Sequence, residues 1–232
     1  MINAVVFDFD GVILDTETLS YQATAEVYKQ YGAELPISYW AKIAGSKDDA
    51  FDSAEHLESV LGHPIDRAAY IRERDDMIMH YVENAQVLPG VVAILETAKK
   101  LGMKIGLATS SGDQWAKNHL SRIGLIDYFD VIVEANDVEN VKPDPELFSL
   151  ACERLGVQPN EAIAFEDSLN GAIAARKAGL YVVVVPNEIT KNLSFDDVDQ
   201  KLHSLAETNL EALIELFSKG DSVGCKSPDS IT

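Results

Sequence analysis

Five short apolar runs alternate with amphipathic stretches along this chain, and that alternation limits the fold more than any other feature. The runs are 2–9 (INAVVFDF), 104–109 (KIGLAT), 131–134 (VIVE), 162–165 (AIAF) and 181–185 (YVVVV). Helical patterns follow at 91–101, 114–123, 145–155 and 168–178, closed by Gly102, Gly124, Gly156 and Gly179. Short, nearly unbroken apolar runs suit strands that are covered on both faces. A glycine just past each helix supplies the left-handed residue that ends it. Together these signals predict an α/β protein, with right-handed βαβ units around a parallel sheet flanked by helices.

One interval breaks the rhythm. Between Asp15 and about Gln86 no strand-like run occurs, and an apolar stripe at Leu19, Ala23, Val27 and Tyr31 has helical spacing. Some seventy helical residues between the first strand and the next βα unit read as an inserted α-helical domain. The length of 232 residues accommodates two such units. The tail after residue 218 is polar, small and aperiodic, so it is expected to lack fixed structure.

Charge narrows the partners. Nineteen Lys and Arg against 38 Asp and Glu give a net charge of −19, which repels nucleic-acid backbones and anionic lipid. Nucleic acid and membrane are therefore not expected as partners; a monomer acting on a small molecule is expected. Cys152 and Cys225 have neither metal-like nor redox-like spacing, and Cys152 reads as a packed residue of a helix. The first apolar run is interrupted by Asp8 and has no basic leader, so neither a signal peptide nor a membrane span is expected, and a cytoplasmic setting follows.

The chemistry concentrates where the runs end. In an open parallel sheet, ligands bind beyond the carboxyl ends of the strands. Those ends carry Asp8 and Asp10, then Thr109, Ser110 and Ser111, then Lys142 a short loop on, and Glu166 with Asp167. Four carboxylates beside one lysine cannot all ionise without a further cation. Oxygen ligands without nitrogen or sulfur suit a hard ion such as Mg²⁺. With such an ion, Asp8 is placed to attack phosphorus as nucleophile and Asp10, two residues on, to serve as general acid and base. Gly11 lets the backbone leave the strand close to substrate. Thr109 and the backbone near Ser110 suit phosphate oxygens, Lys142 neutralises charge between nucleophile and phosphate, and Glu166 and Asp167 complete a metal shell. Trp115, just after these residues, reads as packing, and the five histidines have no ligand spacing.

In this order, DFDGVILDT, LATSS, VKPDPELF and FEDSLNGAIAARKAG resemble the four motifs of the haloacid dehalogenase (HAD) superfamily. The best match is the helical-cap subfamily that includes β-phosphoglucomutase and small sugar-phosphate phosphatases, and it covers roughly residues 2–186. The resemblance implies a Rossmann-like core at 1–15 and 87–218, a cap at 16–86, and a phospho-aspartate enzyme using Mg²⁺. It assigns Asp8 as nucleophile and Asp10 as acid/base whose backbone carbonyl also meets the metal. Thr109 and Lys142 become phosphate contacts, and Glu166 and Asp167 metal ligands. An acid at position 10 argues against dehalogenation, which has no phosphoryl leaving group to protonate. Mutases of this type carry a histidine after the DT of the first motif and a Lys-Gly and Arg in the cap loop. Here Ser20 stands at the histidine position and the cap loop reads IAGSKDDAF, with Lys47 as its basic residue and candidate substrate contact. A phosphatase of small phosphorylated metabolites is therefore expected ahead of a sugar phosphomutase.

Overall fold

The computed structural model describes residues 1–45 and 51–220; Lys47 and the segment 221–232, which holds Cys225, lie outside the described residues. Six parallel strands form one sheet: β1 (Ala4–Phe7), β2 (Lys104–Ala108), β3 (Val131–Val133), β4 (Ala162–Glu166), β5 (Tyr181–Val184) and β6 (Gln200–Lys201). Their order is β3-β2-β1-β4-β5-β6, so the chain winds outward on one side of β1 and then crosses to the other. A crevice opens at that reversal, between β1 and β4, at the carboxyl edge.

Side-chain alternation on the central strand separates two cores. Val5 and Phe7 pack with α5 (Val91–Lys100), α6 (Trp115–Arg122) and α9 (Leu210–Gly220), whereas Ala4 and Val6 face α7 (Glu146–Leu155) and α8 (Leu169–Ala178). The period of two in a strand sends alternate residues to opposite helical layers, which is why every residue of β1 is buried. Gly102, Gly124, Gly156 and Gly179 all adopt positive φ just past their helices, as expected. Cys152 is buried in α7, and burial pushes its thiol up to about 11, as suits a packing residue. The strand β6 was not foreseen. It has two residues and no apolar run; it pairs with Val183 and Val184 of β5, and beside it the Asp199 carboxylate accepts the backbone N–H of Val182 at 2.7 Å.

Between β1 and α5 the chain forms α1 (Thr16–Gln30), α2 (Ile37–Ile43), α3 (Ser53–Leu61) and α4 (Arg67–Glu83). These helices have a core of their own, built on Val27, Tyr28, Leu35, Leu57 and Tyr70. The two strands of chain that lead into and out of this segment run side by side. Leu14 pairs with Val87, and the Leu88 N–H donates to the Ile13 carbonyl at 2.9 Å. No helix among the described residues is long and apolar enough to cross a membrane.

Gly90 opens α5 at φ +91, and a Cβ there would overlap the backbone of Leu205 and Ala206. Gly102 also has positive φ, but nothing lies within 4 Å of its missing Cβ. Gly90→Ala should therefore cost about 2–4 kcal/mol in urea unfolding and Gly102→Ala only about 1 kcal/mol, because the first adds a backbone collision to the conformational cost that both share.

Candidate active site

The register of the sheet assembles the site. Phe7 pairs with Phe165, so one residue further on Asp8 and Glu166 leave neighbouring strands side by side. Between them lies Lys142, carried in on the loop before α7. Its ammonium donates to Asp8 Oδ1 at 2.6 Å and to Glu166 Oε1 at 2.7 Å, with the side chain 1% exposed. The Phe148 ring lies 5.0 Å from the same nitrogen. Burial disfavours the charged ammonium, yet the fields of Asp8 and Glu166 outweigh it and hold Lys142 protonated well above the usual range.

Asp8, Glu166 and Asp167 each offer an oxygen within 4.8 Å of the others. Burial first, then the neighbouring carboxylates, push Asp8 and Asp167 well above the usual carboxylate range, against the lowering effect of Lys142. Three carboxylates facing one ammonium leave a formal excess of two negative charges, which a divalent cation cancels. Asp167 Oδ1 is buried and has no hydrogen-bond partner among the described residues, while Asn187 Nδ2 donates to Oδ2 at 2.6 Å. One oxygen is thus anchored and the other left open. Oxygen donors around an open lone pair fit a hard cation.

Glycines keep the surroundings tight. A Cβ on Gly11, which has φ +79, would overlap the Asp167 carboxylate and lie 2.8 Å from Asn187 Nδ2. One on Gly171, in α8, would overlap the Glu166 carboxylate. Ser168 caps α8 by accepting the Gly171 N–H at 3.0 Å and also donates to Glu166 Oε2 at 3.2 Å, so it serves helix and site together.

Asp10 stands apart from this cluster. β1 ends at Phe7, and the chain turns so that Asp10 pairs with Leu14. Its side chain therefore does not join the metal-capable carboxylates, and any metal contact of this residue falls to its backbone. Instead the carboxylate accepts from Ser111 Oγ at 2.7 Å, Trp115 Nε1 at 2.9 Å, Thr109 Oγ1 at 3.4 Å and the Thr16 hydroxyl. All four donors are neutral, and they come from three segments of chain. Trp115, read from the sequence as packing, is a donor to this carboxylate. Ser110 hydrogen-bonds the Gly45 carbonyl at 2.9 Å, tying the strand end to the helical segment.

A cavity of about 590 Å³ separates the strand ends from the helical segment. Asp8, Asp10, Thr109 and Trp115 line it from the sheet, and Trp40, Arg74 and Met79 from the helices. Sequence reading had missed Asn187 and Arg74. Asn187 follows the fifth apolar run, so the strand-end rule that found the other four clusters also points to it. Arg74 sits among other charged residues of α4, and nothing in the spacing marks it out.

The raised carboxylates have a consequence for stability. Unfolded aspartates lose their protons near 3.8, whereas Asp8 and Asp167 in the folded, metal-free protein keep theirs to higher pH. The folded state then binds more protons, so this contribution is fully present below 3.8 and is lost as pH rises toward the folded values. A divalent cation held by the same oxygens would substitute for those protons. The rise in thermal midpoint on adding Mg²⁺ to EDTA-stripped protein should be small in acid and grow toward neutral pH; a shift independent of pH would contradict this.

Residues 5–185 match the family described as Haloacid dehalogenase-like hydrolase. The Bacillus subtilis (strain 168) protein named "Putative phosphatase YhcW" is 46% identical over 215 residues, covering 93% of this chain and 97% of that one. The Thermotoga maritima protein named "Phosphorylated carbohydrates phosphatase" is 35% identical over 185 residues, 76% of this chain and 82% of its own. The crystal structure of β-phosphoglucomutase from Clostridium difficile has a TM-score of 0.76 at 26% identity, covering 96% of this chain and 100% of that one. With its four motifs gathered at one sheet edge and the family match running through nearly all of the core, this chain belongs to the haloacid dehalogenase-like hydrolase family.

Proposed function

We propose that this enzyme is a Mg²⁺-dependent phosphatase of small phosphorylated metabolites, sugar phosphates foremost, that works through a phospho-aspartate at Asp8. The observation that carries the reading is the Lys142 bridge between Asp8 and Glu166, beside the open oxygen of Asp167, with Asp8 itself on the wall of the cavity. The names of the Bacillus and Thermotoga relatives support it.

Asp8 Oδ1 is held by Lys142, which leaves the second oxygen for attack on phosphorus. The bond from phosphorus to the substrate alcohol breaks as the acyl phosphate forms, and a proton on Asp10 goes to the departing oxygen. Asp10, now a carboxylate, takes a proton from water, whose oxygen attacks the same phosphorus. Inorganic phosphate leaves and Asp8 is restored. The ammonium of Lys142 offsets charge at Asp8 throughout. Thr109 and Ser110 bind phosphoryl oxygens. Thr16, Ser111 and Trp115 hold Asp10 in one orientation between the two steps. Asp8, Glu166 and Asp167, with the Asp10 backbone carbonyl, are the residues that would hold Mg²⁺, which when bound supplies positive charge against the phosphoryl oxygens. The helices of 16–86 act as a cap domain over a core of 1–15 and 87–218, closing the site against bulk water.

A phosphomutase is the second reading, favoured by the likeness to β-phosphoglucomutase. It requires a second phosphate to be gripped on the cap side. The described wall there offers one guanidinium, Arg74, already bonded to Asp75 Oδ1 at 2.7 Å.

Incubation with β-glucose 1-phosphate and Mg²⁺ separates the two. Release of inorganic phosphate supports the phosphatase, and conversion to glucose 6-phosphate with little release supports the mutase. Asp8→Asn should lower turnover at least ~10⁴-fold while leaving the circular dichroism spectrum unchanged, since the amide keeps the shape and loses the nucleophile. Near-normal turnover would remove Asp8 from that role. Trp115→Phe keeps the ring and loses the donor to Asp10. It should lower kcat/KM about tenfold for alkyl phosphates, whose leaving oxygen needs a proton, and far less for p-nitrophenyl phosphate, whose leaving group does not.

A further inference from the structure

We propose that Arg122 is a positioning residue for the acid Asp10, acting from the end of the helical segment through His119 and Trp115. The proposal deepens the phosphatase reading and rests on the role assigned there to Asp10.

Trp115, His119 and Arg122 stand at i, i+4 and i+7 of α6, a spacing that puts all three on one helix face. The indole at the start of that face donates to Asp10 Oδ1 at 2.9 Å. His119, buried, comes next. Its ring meets the indole edge-on at 4.3 Å between centroids and lies 6.1 Å from the Phe9 ring at an interplanar angle of 21°. Phe9 directly precedes Asp10, so one imidazole faces both the side-chain donor of Asp10 and its backbone neighbour. Arg122 ends the row, with Nη2 3.5 Å from His119 Nδ1.

The guanidinium of Arg122 reaches from α6 to another element. Nη1 donates to the Glu83 carbonyl at 2.7 Å and Nη2 to the Val82 carbonyl at 3.3 Å, at the C-terminal end of α4. A helix end leaves its last carbonyls short of intrahelical partners and carries partial negative charge, so both effects hold a cation there. Beyond Glu83 the chain comes to Val87, which pairs with Leu14, and Leu14 in turn pairs with Asp10. The end of α4 therefore reaches Asp10 twice, along the backbone through Leu14 and across side chains through Arg122. The side-chain route fixes where the indole N–H stands. Asp10 has to give a proton to the leaving oxygen and then take one from water, and both transfers depend on its carboxyl keeping one place relative to phosphorus. Trp115 supplies that hold only while its own ring is held, and His119 and Arg122 are the residues that hold it from the side of α4.

The test uses phenyl phosphate and p-nitrophenyl phosphate with Mg²⁺, two substrates of nearly the same shape whose leaving oxygens differ in their need for a proton. Arg122 is exposed, so Arg122→Gln should leave the circular dichroism spectrum unchanged. The variant should lower kcat/KM about fivefold for phenyl phosphate and less than about twofold for p-nitrophenyl phosphate. In a Trp115→Phe background the same substitution should add less than about twofold on either substrate, because the route to Asp10 is already cut. Arg122→Lys keeps a donor for the Glu83 carbonyl and should recover part of the phenyl phosphate rate. Unchanged rates, equal losses on the two substrates, or a loss that persists in full without the Trp115 indole overturn the proposal and leave Arg122 as a clamp on the helical segment. A second measurement is independent of turnover. Trp40 is the other tryptophan of the chain, and in a Trp40→Phe background acrylamide quenching of Trp115 fluorescence should rise on Arg122→Gln; unaltered quenching overturns the coupling. Failure of the phosphatase reading is distinguishable, because then the wild-type chain releases phosphate from neither substrate while the quenching still reports on Arg122 and Trp115.

Discussion

The ammonium of Lys142, bonded to Asp8 and Glu166 where β1 and β4 end, is the interaction around which the rest of the site is arranged. An isolated buried charge costs several kcal/mol, so each of these groups depends on the others. The parallel register sets the two carboxylates side by side, and the loop before α7 delivers the cation between them. Asp167 adds a third carboxylate to which Lys142 makes no bond. That imbalance makes the cluster receptive to a divalent cation and sets it apart from a closed structural ion pair.

The second constraint is the separation of two acids that lie only two residues apart. Asp8 stays with the charged cluster, whereas the turn after β1 carries Asp10 to a pocket of neutral donors. Trp115 links that pocket to the helical segment. Its ring meets His119 edge-on at 4.3 Å, and Arg122, one turn along α6, donates to the last carbonyls of α4 at Glu83 and Val82. Burial and then Arg122 hold the His119 pKa below its usual value, and Arg122 Nη2 lies 3.5 Å from the ring nitrogen Nδ1. A continuous path of contacts thus runs from the end of the helical segment to Asp10, and Ser110 and Asn170 add hydrogen bonds from the sheet edge to the Gly45 and Ala44 carbonyls.

Much of this was legible in the chain. Apolar runs bounded by glycine located five of the six strands within a residue or two, because strands covered on both faces leave an unmistakable hydrophobic record. The exception, β6, is an edge strand of two polar residues paired to β5, and it leaves no such record. The clustering of Asp8, Lys142, Glu166 and Asp167 followed from the rule that parallel strands present their carboxyl ends on one edge. Trp115 packs against the core, as a tryptophan near a helix start is expected to, and its bond to Asp10 left no separate sign in the sequence. Its N–H acquires a role only once Asp10 has been turned toward it.

Sequence by itself determined the fold class, the edge where chemistry gathers and the residue types assembled there, since hydrophobic periodicity and strand polarity are local properties summed along the chain. Tertiary structure alone decided which of the four carboxylates share a cation, which oxygen of Asp167 stays open, and which charges line the cavity. Those outcomes depend on the turn after β1 and on Lys142 arriving from a distant loop. Each is set by contacts between residues far apart in sequence, where no local pattern records the partner.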